Sequence, residues 1–411
     1  MRPADDVATA LFDLPRGALV NLESGSVKRA VRLIEDIPAG HKFAVHALAC
    51  GLRVRKYGEC IGRTTEPVPA GAWVHLHNLE TSAHGDGSQD LARQSMPGTA
   101  RLLGAIGDPR CCVGENPLFD AETGRLYWID VRETPAIHAL ELGTGQSLCW
   151  PMREDIGSIA LAGAGRLLLA LRSGFAWFDV ASGDITPIAD PEADLPLNRL
   201  NDGKCDPAGR YWCASMQPDA GSAEGSLYML DGDLRCHKVL GDLVTPNGIN
   251  WSPDGRTMYL ADTRRGFIYA YPFDVSDGKL GERRIFADLG AMPGGPDGAA
   301  VDAEGHLWWA QFDGACLIRF APDGSVNRVV RLPVTKPTSC GFGGAGLRQL
   351  YVTSATRGLS AAELNTEPMA GRVLVLDVGV AGLPPVPFLR NVSRGAAQPK
   401  VQAVAQGVGL G

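Results

Sequence analysis

The sequence predicts an all-β chain, a six-bladed β-propeller behind a small, mostly-β N-terminal domain. Three observations carry this. A turn glycine followed by an apolar, aromatic-rich stretch recurs at Gly124, Gly165, Gly209, Gly255, Gly305 and Gly346, at intervals of 41, 44, 46, 50 and 41 residues. A period of roughly 40–50 residues holding several short strands is what propeller blades produce. Glycine and proline, 51 and 28 of 411 residues, are spread along the chain as many turns require. No amphipathic helical stretch fills the intervals, which argues against a parallel barrel with one helix per strand.

Taken in order, residues 1–80 show short apolar stretches punctuated by Leu14-Pro15-Arg16-Gly17, Ile37-Pro38-Ala39-Gly40 and Val68-Pro69-Ala70-Gly71. They read as a compact β module with one short helix around 44–49. Residues 1–100 balance 11 Lys+Arg against 11 Asp+Glu and hold five of the eight histidines, so the net charge of −7 falls wholly on residues 101–411. That shift marks a boundary. Residues 81–110 begin with a small, polar, aperiodic run and read as a linker. The propeller then occupies 111–390, and a glycine-rich tail, 391–411, is expected to fray.

Composition excludes several function classes. A surface with net charge −7 does not favour nucleic acid or an anionic membrane. No uninterrupted apolar run approaches the ~18 residues of a membrane span. The acidic start MRPADDVATALFDL is no secretory signal. A soluble cytoplasmic protein is expected. The ten cysteines are scattered, without a C-x-x-C pair, and Cys149, Cys213 and Cys316 lie in apolar runs, which predicts reduced core thiols. The adjacent Cys111-Cys112 is read as inert.

The chemistry-bearing residues appear on reading backward from each repeat glycine. Asn201, Asn247 and Asp297 stand eight residues before Gly209, Gly255 and Gly305, and Glu115 stands nine before Gly124. Gly157 and Thr338 hold the equivalent places in the second and last repeats. Equivalent positions in successive blades sit at equivalent heights, so these residues should ring one mouth of the central channel. Taken singly, Asn247-Gly248, Asp297-Gly298 and Asn201-Asp202-Gly203 are turn signals. The common register points instead to a shared metal or substrate site. Two carboxylates and two amides suit a hard divalent cation. Converging carboxylates repel one another unless a cation or proton compensates. Arg199, two residues before Asn201, shares its strand face; a surface salt bridge is its bland alternative.

Residues 111–390 resemble the regucalcin/gluconolactonase family, also called the senescence marker protein and luciferin-regenerating enzyme family. The matching stretches are GENPLFDAETGRLYWID, RLNDGKCDPAGRYWCASM, TPNGINWSPDGRTMYLADT, PDGAAVDAEGHLWWA and LPVTKPTSCGFGGAGLRQLYVTSA. The resemblance implies a six-bladed propeller with one divalent metal, calcium, zinc, magnesium or manganese, held by Glu115, Asn247 and Asp297. It assigns Arg199 and Asn201 to substrate and makes Asp297 the general base in hydrolysis of a sugar lactone. No G-x-S-x-G elbow supplies a covalent nucleophile.

Residues 1–80 resemble the small SAF-type domain of altronate and galactarate dehydratases, through Gly40-His41-Lys42-Phe43-Ala44, Lys56-Tyr57-Gly58 and Trp73-Val74-His75-Leu76-His77-Asn78. The dehydratases' large catalytic domain has no counterpart here. The module therefore implies a bound sugar acid or a separately encoded dehydratase large subunit as partner. His75 and His77 share one strand face and, with His41, form a candidate second site, against the alternative of a packed sheet face. Three rival readings remain at this level: a non-catalytic calcium-binding or scaffold propeller, another propeller hydrolase acting on phosphoesters or aryl esters, and an accessory subunit of a sugar-acid dehydratase acting through residues 1–80.

Overall fold

The computed structural model describes residues 5–10, 13–24, 27–38, 41–56, 59–75, 77–80, 100–108, 110–218, 221–290 and 292–391. The start of the expected linker (81–99) and the tail from 392 lie outside the described residues.

The long region folds into six antiparallel sheets in chain order, each built on a four-strand path. Their first strands are Gly114–Asp120, Ile156–Leu161, Arg199–Cys205, Pro246–Trp251, Gly295–Val301 and Pro337–Gly343. Each first strand packs against the first strand of the next sheet, and the sixth packs against the first. Thr338 Oγ1 donates to the Gly114 carbonyl across that last seam, at 2.5 Å. The all-β propeller architecture predicted from the repeats is therefore present.

The domain boundary differs from expectation. The sixth sheet takes only three strands from the C-terminal end of the propeller; its fourth is Arg101–Ile106, antiparallel to Val373–Asp377. The Leu102-Leu103-Gly104-Ala105-Ile106 stretch, assigned to the linker, belongs to the propeller and ties the two ends of the region together.

The repeat glycines do what their spacing implied. All six lie at positive φ, between 64° and 82°, a region a Cβ disfavours. Where Asp-x-x-Gly makes the turn, the aspartate organises it. Asp206 and Asp302 each accept an indole N–H at 2.9 Å, from Trp212 and Trp308. Both indoles are completely buried between sheets, so truncating either would cost about 3–5 kcal/mol. Cys213 and Cys316 are buried as expected, but Cys149 is exposed, because it lies on the outer strand Ser147–Pro151.

The N-terminal module is a set of short strands. Val7–Thr9, Lys42–Ala44 and Trp73–Val74 form one sheet, Leu19–Ser24 pairs with Val27–Arg32, and Arg53–Lys56, Glu59–Thr64 and Leu79–Glu80 form another. The helix expected around 44–49 is absent. Ala44 donates its N–H to Ala72 O, and Leu48 exchanges backbone bonds with Val68, so these peptide groups are satisfied across the module instead. The module is docked on the propeller: Val54, Val74 and Leu79 share one buried apolar cluster with Leu243 and Phe267. Among the described residues no helix is long and apolar enough to cross a membrane.

Candidate active site at the channel mouth

Every first strand slips register against its neighbour at the same height: between Glu115 and Leu118, Ile156 and Ser158, Leu200 and Gly203, Asn247 and Asn250, Pro296 and Ala299, and Pro337 and Cys340. A bulge bends a strand locally and re-aims a side chain. The ring of positions inferred from the register, Glu115, Gly157, Asn201, Asn247, Asp297 and Thr338, is this ring of bulges.

The residues after two of the candidates show the steric demand. Gly248 lies at φ 65°, and a Cβ there would stand 2.2 Å from Trp309 Cζ2. Asn116 takes the same left-handed place after Glu115, at φ 52°, a conformation asparagine tolerates better than most. Gly157 carries no side chain because a Cβ would meet Leu200 O at 2.3 Å.

Hydrogen bonds fix the Asn247 amide. Thr263 Oγ1 donates to Pro296 O at 2.6 Å, so its lone pair must accept the 2.9 Å bond from Asn247 Nδ2. That leaves Asn247 Oδ1 as the oxygen, and it accepts from Asn201 Nδ2 at 2.7 Å. Asn201 Nδ2 also donates to Pro246 O at 2.9 Å. Asn201 thus orients Asn247 in addition to any contact of its own. Glu115 Oε2 accepts the Asn116 N–H at 2.9 Å, and the nearby Ser339 favours its charged form. The Asp297 backbone carbonyl accepts from Trp309 Nε1 at 2.7 Å.

The electrostatics are those of a site awaiting positive charge. Burial and then the Asp202 carboxylate push Glu115 up to about 8. Burial, then Glu115, then Asp202 push Asp297 well above the usual carboxylate range. Arg199 is only 8% exposed. Its Nη1 donates to Leu200 O at 3.0 Å, while its buried Nε has no partner among the described residues. Asp155 and Glu115 favour its charge, but burial dominates and lowers it to about 10. It is no surface salt bridge. Oxygen donors from Glu115, Asn247 and Asp297 beside mutually repelling carboxylates fit a hard divalent cation.

Sequence reasoning missed two groups here. Asp202 accepts the Ile249 N–H at 3.1 Å, and its carboxyl is raised by burial. Lys204 Nζ donates to Asn250 Oδ1 at 2.8 Å and Ala299 O at 3.0 Å. The Asp202–Lys204 alternation in RLNDGKC was the available signal, because side chains two apart in a strand share a face.

The structure brings His41, His75 and His77 together around Trp73. The ring centroids lie 5.4 Å apart for His41–His75 and 6.3 Å for His75–His77. Burial lowers His41 and His75, and Asn78 Nδ2 contacts His77 Nε2 at 3.1 Å. A tight group with metal-ligand spacing lies elsewhere, at Asp302, Glu304 and His306. It follows the far end of the strand that begins beside Asp297, and Arg319 already compensates it, at 2.7 Å from Asp302 and 2.6 Å from Glu304. Burial pushes Cys111 and Cys112 up to about 12, so neither is a thiolate near neutral pH.

Comparison with known proteins matches both regions. Residues 113–356 match the SMP-30/gluconolactonase/LRE-like region, and residues 1–82 match the altronate/galactarate dehydratase SAF domain. Chicken (Gallus gallus) regucalcin is 35% identical over 290 residues, 69% of this chain and 97% of its own length. The 6-deoxy-6-sulfogluconolactonase of Pseudomonas putida is 35% identical over 271 residues, 66% of this chain and 92% of its own. The crystal structure of the calcium-binding protein regucalcin from Agrobacterium tumefaciens superposes with a TM-score of 0.67 at 30% identity, covering 70% of this chain and 97% of that one.

Proposed function

The chain belongs to the SMP-30/gluconolactonase/LRE-like family, and from that premise we propose that it hydrolyses a sugar lactone, an aldono- or aldarolactone, to the free acid. One observation carries the reading. A buried guanidinium with an unpartnered N–H, Arg199, shares the channel mouth with Glu115 and Asp297, two carboxylates held above their ordinary range. A relative named for lactone hydrolysis supports it.

Glu115, Asn247 Oδ1 and Asp297 would hold one divalent cation, of which calcium, magnesium, manganese and zinc all accept such donors. When bound, the cation would polarise the lactone carbonyl and keep both carboxylates ionised. Asp297 is then the general base. It takes a proton from the attacking water as the water oxygen bonds to the carbonyl carbon. The ring C–O bond breaks next, and the departing ring oxygen takes up a proton to become a hydroxyl. The Arg199 guanidinium donates to the substrate's hydroxyl or distal anionic oxygens, and Asn201 keeps the Asn247 oxygen aimed. A ring ester needs no covalent intermediate for this.

The test is a panel of aldono- and aldarolactones assayed by acid release, with metal-loaded wild type and Asp297→Asn. Hydrolysis of at least one lactone, lost in the variant, is expected. No turnover of any lactone with metal bound would sink the enzyme and leave a calcium-binding propeller. The N-terminal match favours lactones of altronate-like or galactarate-like acids, because dehydration of the acid is the step after ring opening. If the module instead recruits a dehydratase large subunit, such a subunit would co-purify with the full chain.

A further inference from the structure

Asn201-Asp202-Gly203 reads as a turn, yet it lies inside the strand Arg199–Cys205. The preceding sheet fixes its backbone. Ser158 Oγ donates to Asn201 O at 2.7 Å and shares a 2.8 Å bond with Tyr211 Oη. Gly203 leaves room for that pair, since a Cβ there would stand 2.6 Å from Tyr211 Oη and 2.9 Å from Ser158 Oγ.

From this fixed segment two polar side chains reach the following sheet, whose first strand, Pro246–Trp251, bulges between Asn247 and Asn250. Asn201 grips the front of the bulge, donating to Pro246 O at 2.9 Å and to Asn247 Oδ1 at 2.7 Å. Asp202 grips the back, where its Oδ2 accepts the Ile249 N–H at 3.1 Å. Burial raises Asp202, while Lys204 and then the Ile249, Gly248 and Gly203 N–H groups favour its charge. A bulge takes backbone groups out of the ladder, and buried N–H groups need an acceptor. Gly248, at φ 65°, lends this stretch freedom without a side chain to anchor it. The anchor comes from Asp202.

The same stitch occurs once more around the ring. Asn116 Oδ1, one residue after Glu115, accepts the Ile159 N–H at 2.5 Å. In both cases the residue after one ring position holds the N–H two residues past the next. The consequence differs. Beyond Asn116 the next ring position is Gly157, which has no side chain to aim. Beyond Asp202 it is Asn247, whose Oδ1 is one of the three donors assigned to the cation.

We propose that Asp202 is a positioning residue: by holding the Gly248-Ile249 backbone it aims Asn247 Oδ1 at the cation, and it is not itself a ligand. The proposal rests on the reading of Asn247 as a metal ligand and is independent of lactone hydrolysis.

The experiment compares wild type, Asp202→Asn and Asp202→Ala as full chains. Both variants lose the same charge, but only the asparagine keeps an oxygen that can accept the Ile249 N–H. The first readout is hydrogen exchange of the metal-stripped proteins, followed by mass spectrometry over 246–251, 114–120 and 295–301. The second is calorimetric titration with calcium and with manganese, with thermal melts alongside. In Asp202→Ala, exchange over 246–251 should quicken about tenfold or more while the other two segments keep wild-type rates. Asp202→Asn should keep the protection and bind the metal about tenfold or more tighter than Asp202→Ala. Equal metal affinity in the two variants would mean that Asp202 acts by its charge or as a ligand, and overturns the proposal. So does unchanged exchange over 246–251 in Asp202→Ala, or an equal loosening of all three segments. Should Asp202→Ala not fold, Asp202→Asn decides: protection of 246–251 as in wild type supports the clamp, and free exchange there with wild-type melting overturns it. Failure of the wild type to bind either ion would instead overturn the metal reading itself.

Discussion

Metal binding at the mouth should expel protons. In the metal-free protein Glu115 is raised from 4.5 to about 8 by burial and by Asp202, and burial, Glu115 and Asp202 raise Asp297 well above the usual carboxylate range. At pH 7 Glu115 is then mostly protonated, and the ionised form is the ligand. Binding one divalent cation should therefore release between about one and two protons near pH 7. Apparent affinity should climb roughly tenfold per pH unit for each proton released, until the pH passes the raised values. The sign for stability is fixed by the same shift. The folded state holds the Glu115 proton where the unfolded chain, at 4.5, has lost it. The contribution of Glu115 to metal-free stability is thus fullest below pH 4.5 and is lost as the pH rises through about 8, opposite to a carboxylate stabilised by a salt bridge. The assay is calorimetry of stripped protein with calcium in two buffers of different ionisation enthalpy, at pH 7 and pH 9, with thermal melts alongside. Glu115→Gln should weaken binding and remove its share of the released protons. Identical heats in both buffers at pH 7, with metal bound, would refute the assignment of these carboxylates as ligands.

Three further outcomes follow from single contacts. Arg199→Met should raise KM for a lactone about tenfold to a hundredfold with a smaller change in kcat, because it removes a binding group; unchanged steady-state kinetics would return Arg199 to a structural role. Gly248→Ala should cost about 3 kcal/mol or more in denaturant melts, since its Cβ would lie 2.2 Å from Trp309 Cζ2, whereas Gly165→Ala, with open space around it, should cost only about 1 kcal/mol. Arg319→Met should destabilise by about 3–5 kcal/mol by stranding the fully buried Asp302, while metal stoichiometry stays that of wild type; a change in bound metal would mean that Asp302, Glu304 and His306 do hold an ion.

What the sequence showed and what it hid divide along one physical line. A repeat whose strands obey one hydrogen-bonding plan writes its turn glycines and buried aromatics at fixed offsets, so Gly124 to Gly346 and the ring Glu115, Asn201, Asn247 and Asp297 were legible in chain order. The bulge that aims those side chains was legible only indirectly, as in Asn247-Gly248, because a turn dipeptide and this bulge demand the same left-handed glycine. Non-local features were not legible. Arg101–Ile106 is an ordinary apolar run until the sixth sheet, one strand short, gives it a partner more than 260 residues away at Val373–Asp377. Asp202 looks like part of a turn until the ring sets it against Glu115 and Asp297. The same holds for the module. Nothing in residues 1–80 says that Lys56 and His41 face 263–266; that follows from docking, and docking depends on buried apolar surfaces that a pattern of Pro-x-Gly turns does not specify. A site made by one repeat unit copied around an axis can be read from its period. A feature made where two unlike folds meet, as Lys56 and His41 meet 263–266, has no period to read.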